Sequence, residues 1–265
     1  MSKYVVSVFD NEKAAYDGAR ALGQLDNEGG IAVYEAAVLS KDKGGKIRVL
    51  DGLEEAPFTT LGGMMLGSLI GVIGGPVGVL AGATAGSLGG LMVDMNNAGV
   101  NDRFLDEVAG ELSPGKAALV AEVEEGWTAP LDSRIEALGG TVHRSWRINV
   151  EDDQIARDAD AADREMQELK EEWKRANEES KAKLKAKMDA AKAKLKGLQD
   201  SVQKKMAALK EEAALKVKKL DEQITKADDD FKKKLEKSRA DLKADYEQRS
   251  QKLKQAGKLV AKAFS

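Results

Sequence analysis

Hydrophobic and polar positions alternate in short segments of the first fifty residues. Residues 4–9 alternate in this way, and two further apolar runs at 31–39 and 46–50 are separated by a polar, glycine-containing turn. Such runs are typical of β-strands. Asn11 precedes alanines and Leu22 at helical spacing, which predicts a capped helix between the first two strands. The predicted order is therefore β-α-β-β.

The alternating pattern of strands and the helical spacing of apolar residues both recur after residue 100. Helical spacing covers 101–112, alternation covers 116–123, a short helical pattern covers 131–138, and a last strand pattern covers 141–150. The complete order is β-α-β-β-insertion-α-β-α-β. It predicts an α+β fold class: a ferredoxin-like α/β sandwich made of residues 1–55 and 97–150, interrupted in the middle.

The insertion, residues 56–96, begins with 38 consecutive residues that carry no charge, 56–93. Its glycines recur at every fourth position in two series. One series is Gly63, Gly67, Gly71 and Gly75, and the other is Gly74, Gly78, Gly82, Gly86 and Gly90. This spacing places each series on one stripe of a helix, where a second helix can approach closely. The pattern predicts glycine-zipper packing.

Pro76 interrupts the insertion, so two short helices that face each other as a hairpin fit better than one long span. An arm of about 15 residues rises about 23 Å, which is short of the roughly 30 Å hydrocarbon core of a bilayer. Two interpretations remain open. The hairpin dips into a membrane, or it packs inside a soluble assembly.

Residues 151–265 form a third predicted region, with no proline and two glycines. A stripe of apolar or small residues runs from Ile155 to Val260, and these 105 residues take 29 steps, or 3.62 residues per step. That period predicts one very long, continuous and nearly straight helix. Because the stripe is rich in Ala and Met, pairing would be weak unless many copies assemble or lipid covers the stripe.

The charge is distributed unevenly. Residues 1–150 carry 12 Lys and Arg against 20 Asp and Glu, a net of −8, whereas residues 151–265 carry 30 against 25, a net of +5. The lysines concentrate at 181–219. The predicted contacts to anionic lipid or another anionic partner are Lys181, Lys183, Lys185, Lys187, Lys192, Lys194, Lys196, Lys204 and Lys205. Nucleic acid is disfavoured because no aromatic residue interrupts this stretch, and a solvated coiled-coil face is the alternative.

The inventory of reactive side chains is small. The chain has no Cys, and His143, its single His, lies in a strand pattern. The carboxylate pairs Glu54-Glu55 and Glu124-Glu125 are interpreted as solvated loop charges. No Lys or Arg lies within 56–93 to bind phosphate. The sequence therefore predicts no catalytic residue, no metal site and no cofactor, and the protein is not expected to be an enzyme.

Several short motifs occur in a familiar order. They are Val6-Ser7-Val8-Phe9-Asp10, Gly67-Ser68-Leu69-Ile70-Gly71, Gly75-Pro76, Leu112-Ser113-Pro114-Gly115-Lys116-Ala117-Ala118-Leu119 and Gly139-Gly140-Thr141-Val142. Together they resemble a bacterial family described only as a domain of unknown function and often labelled a membrane protein. The resemblance spans about residues 3–149 and leaves the long helix outside. It implies membrane association and supplies no catalytic residue.

These patterns together predict a non-enzymatic, self-associating, membrane-associated structural or scaffolding protein. The zipper hairpin would anchor or pack subunits of a homo-oligomer, and the long helix would bundle or lie on anionic lipid. Because no signal peptide precedes the first strand, the expected location is the cytoplasmic face of the membrane or the membrane itself. The alternative is a soluble oligomeric module that senses a small ligand, which stays unknown, or binds other proteins.

Overall fold

The computed structural model describes residues 2–50, 66–73, 100–147 and 151–264. The chain divides into two compact units. Unit 1 contains Met1–Ile148 and Ala214–Leu242, and unit 2 contains Asn149–Ala213 and Lys243–Ser265. Each unit has its own core of buried apolar residues.

Unit 1 is built on a five-stranded sheet. Its strands are β1 (Lys3–Phe9), β2 (Ile31–Lys41), β3 (Ile47–Leu50), β4 (Ala117–Glu125) and β5 (Thr141–Trp146). The order across the sheet is β3-β2-β4-β1-β5, and every neighbouring pair is antiparallel. β1 and β2 are therefore parallel with β4 between them, and β4 and β5 are parallel with β1 between them.

Two helices cover one face of this sheet: α1 (Glu12–Asn27) and α4 (Ala129–Glu136). The unit β1-α1-β2 and the unit β4-α4-β5 interlock, which is the ferredoxin-like arrangement. Alternate strand residues such as Val5 and Leu119 pack here against Leu22 and Ile135. The predicted α+β, ferredoxin-like fold class is confirmed.

The other sheet face carries α2 (Gly67–Ile73) and α3 (Asp102–Glu111). Phe104 and Val108 of α3, together with Leu69 of α2, pack against strand residues of the opposite parity, including Val6. Asn11 and Asn101 begin α1 and α3 by accepting hydrogen bonds from the backbone N–H groups of Ala14 and Phe104, respectively. Sequence signals thus place both helices correctly.

The last three helices are α5 (Glu151–Arg175), α6 (Glu178–Ile224) and α7 (Asp229–Phe264). The predicted very long helix is present as α6, which has 47 residues. The expectation of one continuous helix to the end of the chain is wrong. The helical stretch is broken before Glu178 and again before Asp229. The boundaries between the two units fall within α6 and within α7, so each of these helices contributes one part to unit 1 and one part to unit 2.

Unit 2 combines α5 with the first part of α6 and the last part of α7. Its core contains Met166, Leu195, Val202, Leu253 and Val260, which all belong to the predicted stripe. The stripe is therefore covered by the chain's own helices, which corrects the expectation that other copies or lipid would be needed to cover it. The small residues that weakened the predicted pairing lie among the buried ones, for example Ala159 and Ala256 at 0 % and 2 % exposure.

Candidate functional site

A buried carboxylate, Glu122, lies on the sheet face that carries α2 and α3. The inward positions of β4 are Ala118 and Val120, and Glu122 continues the same alternation, so its side chain is directed into unit 1 and is 0 % exposed. The sheet register places Glu122 directly opposite Glu35 of β2, which is 3 % exposed. Like charges in such a cross-strand pair destabilise a sheet unless cations compensate them.

Cations and a hydroxyl group surround Glu122. Lys216 of α6 forms an ion pair with Oε1, and both side chains are almost fully buried. Arg147 Nη1 lies 3.2 Å from the same oxygen and 3.3 Å from Oε2, and Ser2 Oγ donates to Oε1 at 2.5 Å. An uncompensated buried charge is strongly destabilising, whereas a charge with several donors is tolerated. These contacts therefore hold Glu122 as a paired carboxylate.

Glu35 joins the sheet to the insertion. Its Oε2 accepts a hydrogen bond from the backbone N–H of Leu66 at 3.0 Å, immediately before α2 begins. Leu66 and the α2 residues Leu69, Ile70 and Ile73 are buried on the sheet face. The start of α2 is therefore fixed by one hydrogen bond to a buried carboxylate and by apolar packing.

Tyr34 and Glu124 extend the buried polar groups along β2 and β4. The Nζ of Lys216 lies 5.2 Å from the centre of the Tyr34 ring. Burial raises the pKa of Tyr34 well above its ordinary value, and the charges of Glu124 and Glu122 raise it further. Ser238 Oγ of α7 donates to Glu124 Oε1 at 2.9 Å. Both α6 and α7 thus contact this part of the sheet.

The interpretation of Glu124-Glu125 as solvated loop charges is wrong. Both residues belong to β4, and the Glu125 side chain is only 1 % exposed. Glu125 Oε1 lies 3.1 Å from Lys3 Nζ and 2.8 Å from Arg144 Nε. Hydrogen bonds to acidic partners raise the pKa of Arg144 even though burial opposes its charge. The other pair, Glu54-Glu55, lies outside the described residues.

Apolar contacts complete the attachment of residues 214–242, here called the 214–242 segment. Leu220, Phe231 and Leu235 form a buried cluster with Ala32 and Tyr34 of β2. The Phe231 ring also lies against Gly126, where an added Cβ would approach it to 2.7 Å. A side chain at this position would therefore displace the Phe231 ring from the packing seen here.

Asp26, at the end of α1, binds the same segment from a second side. Its carboxylate pairs with Lys219 Nζ at 2.5 Å, and its backbone oxygen accepts from Gln223 Nε2 at 2.8 Å. Burial raises the pKa of Asp26 more than the hydrogen bonds from Lys219 and the Val33 N–H lower it. These contacts form a charged surface of the sheet and α1 on which the 214–242 segment packs.

His143 joins β5 to α3. Its Nε2 lies 2.5 Å from Glu111 Oε2, and its Nδ1 lies 3.8 Å from Glu107 Oε2. Burial opposes ionisation of Glu111, but hydrogen bonds from Thr141 and His143 prevail and lower its pKa. Within the described ranges, no group of three or more His, Asp or Glu side chains is arranged to hold a metal ion.

Two of the predicted zipper glycines, Gly67 and Gly71, fall within the described residues, and both belong to α2. No described atom lies within 4 Å of the point where a Cβ would be at either position. The other seven, Gly63, Gly74, Gly75, Gly78, Gly82, Gly86 and Gly90, lie outside the described residues. Glycine-zipper packing therefore stays a prediction.

The nine predicted lysine contacts all lie on the unit 2 part of α6. The exposed ones are Lys183, Lys185, Lys187, Lys192, Lys194, Lys196 and Lys204. Lys181 pairs with Glu178 at 2.7 Å, Lys194 approaches Glu165 to 3.6 Å, and Lys205 pairs with Glu151. The apolar stripe of the same helix is buried in the core of unit 2. The exposed lysines are therefore not accompanied by the exposed apolar face that was predicted to contact lipid with them.

Sequence reasoning missed Glu122, Lys216 and Arg147. One signal for Glu122 was present, because a charge at an inward position of a strand requires a buried partner. Its partner Lys216 lies 94 positions further along the chain. Local spacing could not have identified that pair.

The comparisons with known proteins add one match. Residues 60–158 match a family model described as Protein of unknown function (DUF1269). This supports the resemblance to a family of unknown function, and the matched range includes β4 and β5 but ends before α6. No curated protein and no solved structure matches the chain. Among the described residues, no helix is both long enough and apolar enough to cross a membrane.

Proposed function

We propose that the protein is a non-enzymatic, self-associating structural or scaffolding protein that associates with membranes. The observation that carries this proposal is the run of 38 uncharged residues, 56–93, with glycine at every fourth position. Such a segment needs a close partner, because nine glycines in an exposed helical hairpin would each lose about 1 kcal/mol relative to alanine. Lipid and a second copy of the segment are the partners proposed.

The design of unit 1 supports this role for the insertion. Among the described residues, the core between the sheet, α1 and α4 is formed by residues from 5–38 and 117–135, with Leu50, Leu138 and Val142 packed against it. The described part of the insertion, residues 66–73, contributes to the core on the other face of the sheet. One of the two cores of the ferredoxin-like domain is thus built, among the described residues, from segments outside the insertion.

The contacts of α2 with the sheet limit which part of the insertion can enter a membrane. Its large residues are buried against the sheet, and the N–H group before it is bound by Glu35. Entry of α2 into lipid would therefore require loss of these contacts. We infer that the uncharged residues after Ile73 make the membrane contact while α2 stays on the domain.

The exposed lysines of α6 support attraction to anionic headgroups. Each lysine near a negatively charged surface contributes about 1 kcal/mol. The buried stripe makes this contribution electrostatic alone, so binding through α6 should weaken with salt. The buried carboxylates of unit 1, which are held by cations, support a structural role for that site and not an acid–base reaction.

The experiment is sedimentation of the full chain with equimolar phosphatidylcholine and phosphatidylglycerol vesicles, and with phosphatidylcholine vesicles alone. A variant with Gly→Leu at Gly78 and Gly82, which follow α2, should lose binding or change its assembly state. Gly197→Leu is the matched control, because an added Cβ there meets nothing within 4 Å and the substitution adds the same side chain to α6. Wild-type protein that stays monodisperse and unbound would exclude the membrane scaffold.

A soluble protein-interaction module is the second candidate. The burial of the long stripe within the chain favours it, because lipid is not needed to cover that surface. It predicts a defined small oligomer in solution, whose size sedimentation velocity would report. Addition of vesicles should leave that size unchanged.

A further inference from the structure

β5 forms one edge of the five-stranded sheet, and its outer side pairs with no strand among the described residues. The strand, Thr141–Trp146, is rich in β-branched and aromatic side chains and contains no proline. Its pairing with β1 runs without a register shift, whereas β2 and β4 have one between Val33 and Glu35. Proteins usually protect an exposed edge with a bulge, a proline or a very short strand. β5 has none of these, so it can accept another strand.

The hydrogen bonds to β1 decide which backbone groups of β5 point outward. The N–H of Arg147 donates to the backbone oxygen of Ser2 at 3.4 Å, and these residues continue the β1–β5 register as a hydrogen-bonded pair. Hydrogen-bonded and non-hydrogen-bonded pairs alternate along an antiparallel ladder. The N–H and C=O groups of Val142, Arg144 and Trp146 therefore point away from β1. They form the outer hydrogen-bonding edge of the sheet.

Pairing of two copies through this edge, centred on Arg144, uses all of these groups. Val142 of each copy then lies opposite Trp146 of the other, on both sides of the two-fold axis. An aromatic residue opposite a β-branched one is a favourable cross-strand pair, and Trp146 is 57 % exposed in the single chain. The Trp146 oxygen also accepts from Ser145 Oγ at 3.3 Å, but a carbonyl oxygen has a second lone pair for the partner strand.

The neighbouring register, centred on His143, fits less well. It places Trp146 opposite Gly140, which has no side chain to cover the ring. It also requires the N–H of Gly140 as a donor to the partner strand. That N–H already donates to the backbone oxygen of Ile135 at 3.0 Å. The register centred on Arg144 is therefore the one that the outer edge favours.

The arginines that meet at the two-fold axis are neutralised within their own copies. Like charges directly opposite each other destabilise a sheet. Arg144 lies 2.8 Å from Glu125 Oε1 and 2.7 Å from Asp132 Oδ1, however, and Lys3 pairs with Glu125 as well. Two carboxylates thus balance two cations at this edge. The charge of Arg144 is compensated before the copies meet.

We propose that β5 pairs antiparallel with β5 of a second copy, centred on Arg144, and so joins two sheets into one. This inference rests on the self-association in the proposed function and names the strand that carries it. The same surface is used on both copies, so the contact closes as a dimer.

Cysteine cross-linking tests the register, because the chain has no Cys of its own. Full-length Val142→Cys and Trp146→Cys proteins are refolded together, oxidised and analysed by intact mass spectrometry. A disulfide-linked heterodimer should form, because opposite residues of a hydrogen-bonded pair have Cα atoms about 5.5 Å apart. Either variant alone should stay unlinked, since its two cysteines would lie about 13 Å apart along the strands. Val49→Cys, at the other edge of the sheet, is the control partner for Trp146→Cys and should give no link.

Proline substitution tests the backbone pairing itself. Trp146→Ala removes the ring and should weaken the dimer about tenfold in sedimentation velocity. Trp146→Pro also removes an outward N–H donor from each copy, so the dimer should weaken by at least about a further tenfold. Proline is tolerated on an edge strand where the N–H faces outward, so unit 1 should stay folded. Circular dichroism checks this, and the cross-link decides alone if the variant does not fold.

The outcomes separate this inference from the proposed function. A link in the Val142→Cys and Trp146→Cys mixture alone supports it. If the chain self-associates but this mixture gives no more linked dimer than the Val49→Cys control, the β5 contact is wrong and self-association stands. A chain that stays monomeric at every concentration contradicts both. Linked dimers of either variant alone would show a different register, and equal weakening by Ala and Pro would show a side-chain contact; each result overturns the proposed pairing.

Discussion

The 214–242 segment and the helical bundle of unit 2 use the same apolar stripe in two different ways. In the 214–242 segment, Leu220, Phe231 and Leu235 lie against the β2 residues Ala32 and Tyr34. In unit 2 the stripe residues pack against one another, with alanines such as Ala159 and Ala191 among them. Helical spacing is common to both regions, whereas side-chain size differs with the surface that each region covers.

The two regions also bury charge in a similar manner. Lys216 pairs with Glu122 in unit 1, and Arg249 pairs with Asp152 in unit 2, with each partner almost fully buried. Burying such a pair adds little net stability, because desolvation offsets the attraction. Removal of one partner is costly, however, because it leaves the other charge uncompensated. Both pairs therefore favour one arrangement of their helices over alternatives.

The largest expected effect is loss of apolar packing, which tests whether the two cores are independent. Phe231→Ala should destabilise unit 1 by about 3–5 kcal/mol, because a fully buried ring is removed. Leu195→Ala should destabilise unit 2 by about 2–5 kcal/mol. Denaturant unfolding is followed by fluorescence in single-tryptophan variants, in which the other two of the three tryptophans are replaced by Phe. Trp127 reports on unit 1 and Trp173 reports on unit 2.

Each substitution should shift the midpoint of its own reporter. Equal shifts of both reporters by either substitution would contradict the division into two cores. The control is Val49→Ala, since Val49 is 47 % exposed at the sheet edge and its loss should change neither midpoint by much.

The next effect is that of the buried ion pair. Lys216→Ala should lower the free energy of unfolding of unit 1 by about 3 kcal/mol, because Glu122 would lose a buried cation that the contacts from Arg147 and Ser2 do not replace. The matched control is Lys218→Ala, which removes an exposed lysine from the same helix at a cost below about 0.5 kcal/mol. Similar losses for the two variants would show that Lys216 is not the compensating charge.

The helix starts give a smaller effect that tests the breaks in the helical stretch. Asn177 Oδ1 accepts from Ser180 N at 2.9 Å, and Asp228 Oδ1 accepts from Phe231 N at 2.9 Å. Replacing either residue by Ala should cost about 1 kcal/mol, because the first turn of the following helix loses its acceptor. In a continuous helix the same substitutions would stabilise the protein, since alanine is the better helix former. Thermal unfolding followed by circular dichroism distinguishes the two results.

The same residues show why the sequence prediction of one continuous helix failed. Neither break contains a proline or a glycine. The start signals were present, however, because Asn177 is followed by Glu178 and Glu179, and Asp228 is followed by two aspartates. The nearly constant period of the stripe concealed the breaks, since a period records only which face is buried and not whether the chain reverses.

Local pattern predicted unit 1 more completely than unit 2. The strands, the cap Asn11 and the helix that begins near residue 101 follow from alternation and from short-range chemistry, and the split β-α-β order follows from their succession. The candidate site could not be predicted in this way. Glu122 depends on Ser2, Arg147 and Lys216, three residues from distant parts of the chain that only the folded structure brings together.

The smallest expected effect is a pH dependence that arises in unit 1 from Glu111. Because its pKa in the folded protein lies below the ordinary value of 4.5, Glu111 adds stability above that pH and loses it as the pH falls through the lower, folded value. Glu111→Gln should therefore reduce the stability of unit 1 by less than about 1 kcal/mol near neutral pH. The difference from wild type should shrink as the pH falls below 4.5.

Urea unfolding of the Trp127 single-tryptophan protein at a series of pH values measures this difference. Glu136→Gln is the control, because Glu136 is an exposed carboxylate of the same unit and its loss should give no comparable trend. A difference between wild type and Glu111→Gln that stays constant well below pH 4.5 would mean that the side chain acts through packing. In that case the contact with His143 and Thr141 would hold β5 on α3 by shape, and its carboxylate charge would contribute nothing measurable.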